Sequence, residues 1–302
     1  MIQITHIWEE YMMRLKARAK INWTLDIVGQ RADGYHLMDM LMQPVTLADD
    51  ITLVPAEEIT LTTGGSPLLP ADAKHLAYRA AVALKQHASY PDGAAIHVEK
   101  HIPVGAGMGG GSADAAGVLV GLNKLWGLNL PQVELEAIGL TLGADVPFCI
   151  RGGLTRTTGI GEIMENLPCG RNWPLVVIQP CESLSTKEIF TAYHEGVVDD
   201  RPDNKTAALA LAKGDSAALA AAMANVMQPV SEARRPGIHD AIVALREQGA
   251  FVAQMTGSGS AVFGVFTDDA SAAKAYEVLR IRWARTFLCA TCMESVVFAN
   301  DD

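Results

Sequence analysis

The first quarter of the chain alternates between apolar and polar residues, and this alternation predicts β-strands. Residues Ala17 to Val28, ARAKINWTLDIV, predict one strand, and the cluster GQRADGYH after it is typical of a turn. The segment MLMQPVTLADDITLVPA then predicts a second and a third strand. From Lys74 to His87, apolar residues recur at helical spacing, so a helix is expected there.

A glycine-rich loop follows the next predicted strand. Alternation predicts that strand over Ala95 to Val98, and a helix is expected from about Ser112 to Leu125. A further helix is expected from Pro131 to Leu142, because proline is favoured in the first turn of a helix. The glycines between strand and helix are therefore expected at a helix N-terminus.

The pattern breaks around Cys169 to Trp173, in PCGRNWP, which indicates a domain boundary. Beyond it the chain predicts a buried strand in PLVVIQP, helices, and strand-like residues around the loop MTGSGSAVFGVF. A helix from Ser271 to Arg282 and a last strand follow. Since this mixture is typical of an α+β fold, we expect two domains, residues 13–168 and residues 169–302.

Composition and charge exclude several classes of protein. The 302 residues are 49% apolar and 19% charged, which excludes wholesale disorder and a coiled coil. With 24 Lys and Arg against 34 Asp and Glu, the net charge is −10, which argues against a broad nucleic-acid surface but allows a local basic pocket. Glu9 and Glu10 stand where a signal peptide would be apolar, and Lys213 and Asp215 interrupt the Ala-rich segment 206–230, so no membrane span is expected.

The cysteines are few and scattered, unlike a secreted disulfide framework. Cys289 and Cys292 form a C-x-x-C, but it lies in strand-like sequence and no second Cys or His pair stands at ligand spacing. We therefore expect buried or half-buried thiols here in preference to a metal or redox site, and the sequence assigns no metal-ligand residues. We expect a reduced, cytoplasmic protein.

The segment Pro103 to Ala116, PVGAGMGGGSADAA, carries the most chemical information in the sequence. Residues Gly105 to Gly110 match G-x-G-x-x-G, but no acidic residue ends a second strand about twenty residues later, as a dinucleotide site requires. A Walker lysine is also missing. Consecutive glycine N–H groups at a helix N-terminus favour a phosphate. The alternative is a glycine-rich turn that binds no ligand.

Two charged residues stand in positions that need an explanation. Asp145 follows a predicted helix end in GADVPF, where Pro147 should keep Val146 extended and hold the carboxylate on a short rigid turn. Lys20 lies in the middle of a largely apolar strand, where a charge is costly unless it is paired. Taken alone, Asp145 is equally consistent with a capping carboxylate, and Lys20 with a lysine whose stem follows an apolar edge while its charge faces water.

Several segments resemble the GHMP family of small-molecule kinases, which includes galactokinase, homoserine kinase and mevalonate kinase. PVGAGMGGGSADAA resembles the phosphate-binding motif of the family, and MTGSGSAVFGVF resembles its third motif. ARAKINWTLDIVGQRADGYH is similar to the first motif of the branch that acts on diphosphocytidyl-methylerythritol in non-mevalonate isoprenoid synthesis. LGADVPFCIRGG and GIGE extend the match over about residues 17–266. The resemblance implies an N-terminal domain like the second domain of ribosomal protein S5 and a C-terminal ferredoxin-like sandwich.

The resemblance also implies ATP and Mg²⁺ as cofactors and assigns roles to residues. Asp145 and Lys20 would be the catalytic pair, with Asp145 accepting the hydroxyl proton and Lys20 stabilising phosphoryl charge. ATP would be held by Pro103, Gly105, Gly107, Gly109, Gly110, Gly111, Ser112, Lys100 and His75. Two of these assignments meet departures from the family pattern, since Ala113 replaces a second serine and His75 stands where an asparagine is expected. For Lys100, a solvated surface lysine is the alternative.

The segment RADGYH bears on the substrate. Tyr35 and His36 match family residues that hold cytosine, and Phe190 resembles the aromatic residue on the other side of that ring. Ser185 and Glu188 stand at capping-box spacing and predict a helix start there, on which a core phenylalanine is the alternative for Phe190.

Further substrate contacts are expected from Asn22, Gly257 and Ser258. The expected partners are a cytidine diphosphate-linked polyol and ATP, and not a nucleic acid or a membrane. A GHMP kinase for a sugar, homoserine or mevalonate is the alternative, as is a non-catalytic sensor on this fold. Monomer and homodimer both stay open.

Overall fold

A computed structural model describes residues 12–66, 73–193 and 200–299 of the chain. Glu9 and Glu10, on which the signal-peptide argument depends, lie outside these residues. None of the described helices is long and apolar enough to cross a membrane. The Ala-rich segment forms short separate helices, as its interrupting charges predict.

Two long strands form the spine of the first sheet. Strand β1 (Met13–Gln30) turns through RADGYH into strand β2 (His36–Ala56), and the two pair antiparallel along most of their length. The prediction of two separate strands in 40–56 is wrong, because one continuous strand covers that segment. Register shifts between Arg18 and Lys20 and between Asn22 and Thr24 mark bulges, which bend the pair and change the direction of nearby side chains.

The first sheet is completed by shorter strands on both sides of this pair. They are β3 (Thr60–Gly64), β4 (Gly93–Glu99), β5 (Leu154–Gly159), β6 (Ile163–Leu167) and β11 (Val296–Phe298). The order is β11-β1-β2-β4-β3, with β5 pairing with β2 and β6 with β5. Strand β3 is parallel to β4, and the other pairs are antiparallel.

The described helices that accompany the first sheet are α1 (Leu76–Ala88), α2 (Gly110–Leu125), α3 (Gln132–Leu140) and α4 (Val146–Arg151). Helix α2 packs directly on the sheet. A Cβ at Gly117 would stand 2.7 Å from Ile51 Cδ1, so a larger residue there would require the side chains of the sheet to shift. The glycine loop at the start of α2 is thereby held at a fixed height above the sheet.

The second sheet has the strands β7 (Pro174–Ile178), β8 (Val252–Met255), β9 (Val262–Val265) and β10 (Thr286–Ala290), in the antiparallel order β10-β7-β9-β8. Its central strand β7 is buried at every position, as the apolar run PLVVI predicts. The helices described in this half are α5 (Thr186–Ala192), α6 (Asn204–Lys213), α7 (Ser216–Ala222), α8 (Gln228–Arg234), α9 (Gly237–Glu247) and α10 (Asp269–Arg282). The α+β fold class is confirmed.

The two halves are joined by more than one crossing of the chain. Strand β11 returns from the second half to pair with β1, so residues 296–298 lie in the first sheet and not with the rest of 169–302. The boundary at residue 168 stays a prediction. The return of the chain fixes the second sheet beside β1, and the functional groups gather where the two meet.

Cys289 and Cys292 are buried free thiols, as expected. Burial raises the pKa of Cys289 to about 12 and that of Cys292 to about 11. Since the thiolate is the reactive form, both thiols are unreactive at neutral pH.

Candidate active site

The glycine loop opens directly into helix α2, which begins at Gly110, two residues before the predicted start. Its N-cap is Gly109, in a left-handed conformation and without a side chain to cap the helix. The first N–H groups of a helix have no partner within the helix. Together with the positive end of the helix dipole, they form a site suited to an anion.

These groups line a cleft of about 450 Å³. The predicted ATP-binding residues that line it are Gly105, Gly107, Gly109, Gly110, Gly111 and Ser112. Pro103 instead lines a separate cavity of about 310 Å³, together with Val104, Gln179 and Arg285.

The third motif, MTGSGSAVFGVF, holds the glycine loop in place. The N–H of Ala261 donates to the carbonyl oxygen of Ala106 at 3.0 Å. Gly107 has a φ of +78°, and a Cβ there would stand 2.3 Å from the carbonyl oxygen of Thr256, so the two backbones touch only because Gly107 is glycine. Gly257 and Ser258 line the cleft on the same side.

Lys20 and Asp145 meet in this cleft. Lys20 extends from β1 with 5% of its side chain exposed, and its Nζ lies 3.6 Å from Asp145 Oδ2. The structure therefore supplies the partner that a buried lysine needs. Asp145 precedes α4 and its carboxylate caps no helix N–H, so the capping alternative does not hold. About a third of the Asp145 side chain is exposed, and it lines the cleft with Lys20.

The local backbone at Asp145 differs from the prediction. Val146 is the first residue of helix α4 and is not extended, and Asp145 itself has helical φ and ψ. Pro147 lies in the first helical turn, where its missing N–H leaves no hydrogen bond unmade. The preference of a pre-proline residue for extended backbone is overridden here by the packing of α4, which is buried at Val146, Phe148 and Ile150.

Asn22 orients the lysine. Its Oδ1 accepts a hydrogen bond from Lys20 Nζ at 2.8 Å and one from Thr256 Oγ1 at 3.3 Å. The N–H of Asn22 donates to Thr256 Oγ1 at 3.1 Å, and Gln254 Nε2 donates to the carbonyl oxygen of Asn22 at 3.2 Å. The second sheet therefore holds the strand that presents Lys20. Asn22 lines the cleft, so its predicted contact with substrate stays a prediction.

Lys100 is buried directly beneath the start of helix α2. Its ammonium forms ion pairs with Asp49 and Asp114, the latter at 2.6 Å. Asp49 also accepts from the N–H groups of His101 and Ile102, at 2.6 and 2.8 Å. The alternative of a solvated surface lysine is therefore wrong. A Cβ at Gly110 would stand 3.5 Å from Lys100 Nζ, so the ammonium lies next to the glycine loop, and its contact with the nucleotide stays a prediction.

His75, the predicted adenine contact, has a structural role at the start of helix α1, and its contact with adenine stays a prediction. His75 is buried and its Nδ1 accepts from the N–H of Ala77 at 3.2 Å, so the imidazole caps helix α1. His75 is not among the residues that line the cleft, whereas the following residue, Leu76, is.

Aromatic residues surround a second cavity, of about 740 Å³, which we call the aromatic pocket. Tyr35, His36 and Phe190 line it, and the rings of His36 and Phe190 lie 5.2 Å apart between centroids, tilted by 30°. Phe190 is only partly buried and forms part of the cavity wall, so it is not simply a core phenylalanine. Helix α5 begins as predicted, with the N–H of Glu188 donating to Ser185 Oγ at 3.3 Å.

The aromatic pocket and the cleft are continuous. Met38, Ala144, Ile160 and Phe190 line both. A ligand can therefore extend from the rings of His36 and Phe190 to the Lys20–Asp145 pair and on to the glycine loop.

Sequence reasoning missed three residues of this region. Thr256, Asp49 and Asp114 are all fully buried. Asp114 stands inside the recognised glycine motif, where a carboxylate among Ala and Gly indicates a buried ionic partner. Thr256 likewise stands inside the third motif, as its second residue. The sequence offers no comparable signal for Asp49, since Asp50 beside it is an equally good candidate.

The buried cluster of Asp49, Lys100 and Asp114 predicts a dependence of stability on pH. Burial, followed by the charge on Asp49, raises the pKa of Asp114 from 3.8 to about 8, although Lys100 opposes the shift. Between pH 3.8 and about pH 8, the Asp114 carboxyl is ionised in the unfolded chain but keeps its proton in the folded protein. The contribution of Asp114 is therefore complete below the unfolded pKa and is lost as the pH rises through the folded pKa, by at most about 1.4 kcal/mol per pH unit.

Asp114→Asn should remove this dependence. We expect the free energy of unfolding of the variant, relative to the unsubstituted protein, to rise between about pH 5 and about pH 8 in urea titrations. Asp203→Asn is the control, because the Thr206 hydroxyl and N–H lower the pKa of Asp203, so both states are ionised throughout this range. If the difference in free energy of unfolding between Asp114→Asn and the unsubstituted protein did not change with pH, the raised pKa of Asp114 would be contradicted.

Both halves of the chain are similar to known proteins. Residues 75–153 match the family described as GHMP kinases N terminal domain, and residues 207–285 match GHMP kinases C terminal. The 4-diphosphocytidyl-2-C-methyl-D-erythritol kinase of Alkaliphilus metalliredigens is 40% identical over 91% of this chain and 95% of its own length. The protein of the same name from Caldicellulosiruptor saccharolyticus is 39% identical over 96% and 100%. A crystal structure of 4-(cytidine 5'-diphospho)-2C-methyl-D-erythritol kinase superposes with a TM-score of 0.80 at 33% identity, covering 92% of this chain and 99% of that one.

Proposed function

Because this chain belongs to the GHMP kinase family, and within it to the 4-diphosphocytidyl-2-C-methyl-D-erythritol kinases, we propose that it phosphorylates the C2 hydroxyl of 4-diphosphocytidyl-2-C-methyl-D-erythritol with ATP. The reaction is a step of the non-mevalonate isoprenoid pathway. The observation that carries the proposal is the position of the Lys20–Asp145 pair, which lies between the glycine loop and the aromatic pocket in one continuous cavity.

In this proposal the cleft binds the triphosphate of ATP. The N–H groups at the start of α2 donate to its oxygens, and the loop glycines let the backbone come close to them. Asp145 accepts the proton of the C2 hydroxyl as that oxygen attacks the γ-phosphorus. The bond between the γ-phosphorus and the β,γ-bridging oxygen breaks, and ADP leaves with that oxygen. Lys20 stabilises the negative charge on the transferred group, and Asn22 keeps its ammonium in place.

We propose Mg²⁺ as the companion of ATP. Among the described residues no cluster of three or more His, Cys, Asp or Glu could hold a metal ion by itself, so the phosphates and water must supply most of its ligands. The hydroxyl of Ser112 and the carboxylate of Asp145 line the cleft and are oxygen donors of the kind that Mg²⁺ prefers. When bound, the ion neutralises phosphate charge.

The aromatic pocket would bind the cytosine ring. Tyr35 and Phe190 offer aromatic faces to a base, and the His36 imidazole can both donate to and accept from a pyrimidine edge. Asn22, Gly257 and Ser258 line the cleft and would contact the polyol or its phosphates. Homoserine, mevalonate and simple sugars contain no base, so a GHMP kinase for one of them would not need an aromatic pocket of about 740 Å³.

The substrate is tested by supplying ATP with each candidate alcohol and measuring ADP release. We expect turnover with the cytidine diphosphate-linked polyol and not with homoserine, mevalonate or galactose. Phe190→Ala should weaken binding of that polyol by roughly 1–3 kcal/mol, the stacking contribution of one base, and leave ATP binding unchanged. Phe287→Ala, at the separate cavity beside Pro103, is the matched control. Equal turnover of a simple alcohol would refute the substrate assignment, and ATP binding without turnover of any candidate would favour a sensor.

We also propose a cytoplasmic location. All five cysteines lie among the described residues and are free, which is the usual state of thiols in a reducing compartment.

A further inference from the structure

Positive charge is scarce along the continuous cavity. Of the described residues that line the aromatic pocket and the cleft, the lysines and arginines are Lys20 and Lys187. Lys20 is buried and paired with Asp145. Lys187 is exposed and lines the aromatic pocket, and no ion pair holds its ammonium within the described part of the chain.

Helix geometry places Lys187 beside the base-binding rings. Lys187 precedes Phe190 by three residues and Thr191 by four on helix α5, so the three side chains share one face of the helix. All three line the aromatic pocket, and Phe190 also lines the cleft. Lys187 therefore stands next to the passage from the aromatic pocket to the Lys20–Asp145 pair.

The substrate of the proposed function has a diphosphate between its base and its polyol, and the present inference rests on that function. With the base against His36 and Phe190 and the reacting hydroxyl at Asp145, the diphosphate must lie in the passage between them. A chain with a net charge of −10 repels a polyanion unless a local cation compensates. The carboxylate of Asp33, which also lines the pocket, is compensated by Arg31 at 2.8 Å.

We propose that Lys187 is a substrate-binding residue whose ammonium donates charge-assisted hydrogen bonds to the diphosphate of the cytidine substrate. The diphosphate does not take part in the reaction, so Lys187 contributes the same binding free energy in the ground state and in the transition state. Loss of such an interaction raises KM and leaves kcat nearly unchanged.

The test compares ligands with and without phosphates. Cytidine and cytidine diphosphate are titrated calorimetrically, with a non-hydrolysable ATP analogue occupying the glycine loop. We expect Lys187→Gln to weaken the binding of cytidine diphosphate about tenfold, since a hydrogen bond from a charged donor is lost, and to leave cytidine unchanged. Lys187→Arg should retain most of the affinity. Lys213→Gln, an exposed lysine at the end of α6, is the matched control and should change neither ligand.

Kinetics give an independent readout. Lys187→Gln should raise KM for the diphosphate substrate about tenfold, change kcat less than about twofold and leave KM for ATP unchanged. If Lys187→Gln leaves the affinity for cytidine diphosphate unchanged, or weakens cytidine equally, the assignment of Lys187 is wrong while the proposed function stands. If the unsubstituted protein binds neither cytidine ligand, both the proposed function and the role of Lys187 are refuted.

Discussion

Asp145→Asn should lower kcat by about a thousandfold, within the range of general-base contributions. The amide keeps the shape of the carboxylate but cannot accept the substrate proton. Asp145 makes no capping hydrogen bond, and Lys20 Nζ keeps its hydrogen bond to Asn22 Oδ1, so the variant should still fold. Its unfolding temperature should fall somewhat, because Lys20 loses its carboxylate partner. The folded variant should bind ATP with similar affinity, while single-turnover phosphoryl transfer becomes slow.

The control for this prediction is Asp268→Asn. Asp268 also precedes a helix, α10, but it accepts a hydrogen bond from the N–H of Ser271 and lies outside the residues that line the cleft. We expect activity to be retained in that variant. Normal turnover by Asp145→Asn would exclude Asp145 as the base and would leave positioning as the main source of catalysis.

Lys20→Met should lower kcat by about a hundredfold to a thousandfold, the size expected when a charged donor to the transferred phosphoryl group is removed. Methionine fills a similar volume, so little cavity is created in the buried strand. Asn22 Oδ1 keeps its hydrogen bond from Thr256 Oγ1, which limits the polar groups left without a partner. The effect should appear in kcat and not in KM for ATP.

The matched control is Lys16→Met on the same strand. Lys16 is exposed and lies four residues before Lys20 in β1, outside the cleft lining. Its variant should have unchanged kcat and KM. If Lys20→Met raised KM for ATP while kcat stayed normal, Lys20 would be a ground-state contact to the nucleotide and not a transition-state one.

Local pattern predicts the parts of this site that depend on local chemistry. The glycine loop, the helix after it and the strand that carries Lys20 all lie close to where alternation and glycine content place them. The need of Lys20 for a partner also follows from its apolar neighbours, although spacing alone does not identify the partner. Resemblance to the family supplied Asp145, and the two groups are 3.6 Å apart.

Contacts that the local sequence pattern does not show set the positions of several polar side chains. Lys100 stands just before the glycine loop, but its ammonium is held by Asp49, distant by 51 residues in sequence, and by Asp114, distant by 14. At His75 the contact is local, because the imidazole stands directly before helix α1 and accepts from the free N–H of Ala77. Strand β2 stays continuous because the chain bends there at bulges and does not break into a turn.

The proposed reaction transfers one phosphoryl group from ATP to the polyol. Phosphorus NMR of the purified protein with Mg²⁺, ATP and 4-diphosphocytidyl-2-C-methyl-D-erythritol follows reactant and product together. We predict a new phosphomonoester resonance that grows in equal amount with ADP and whose appearance is slowed about a thousandfold in Asp145→Asn. ADP formed with inorganic phosphate and no new phosphomonoester, or an unchanged rate in Asp145→Asn, would contradict the account.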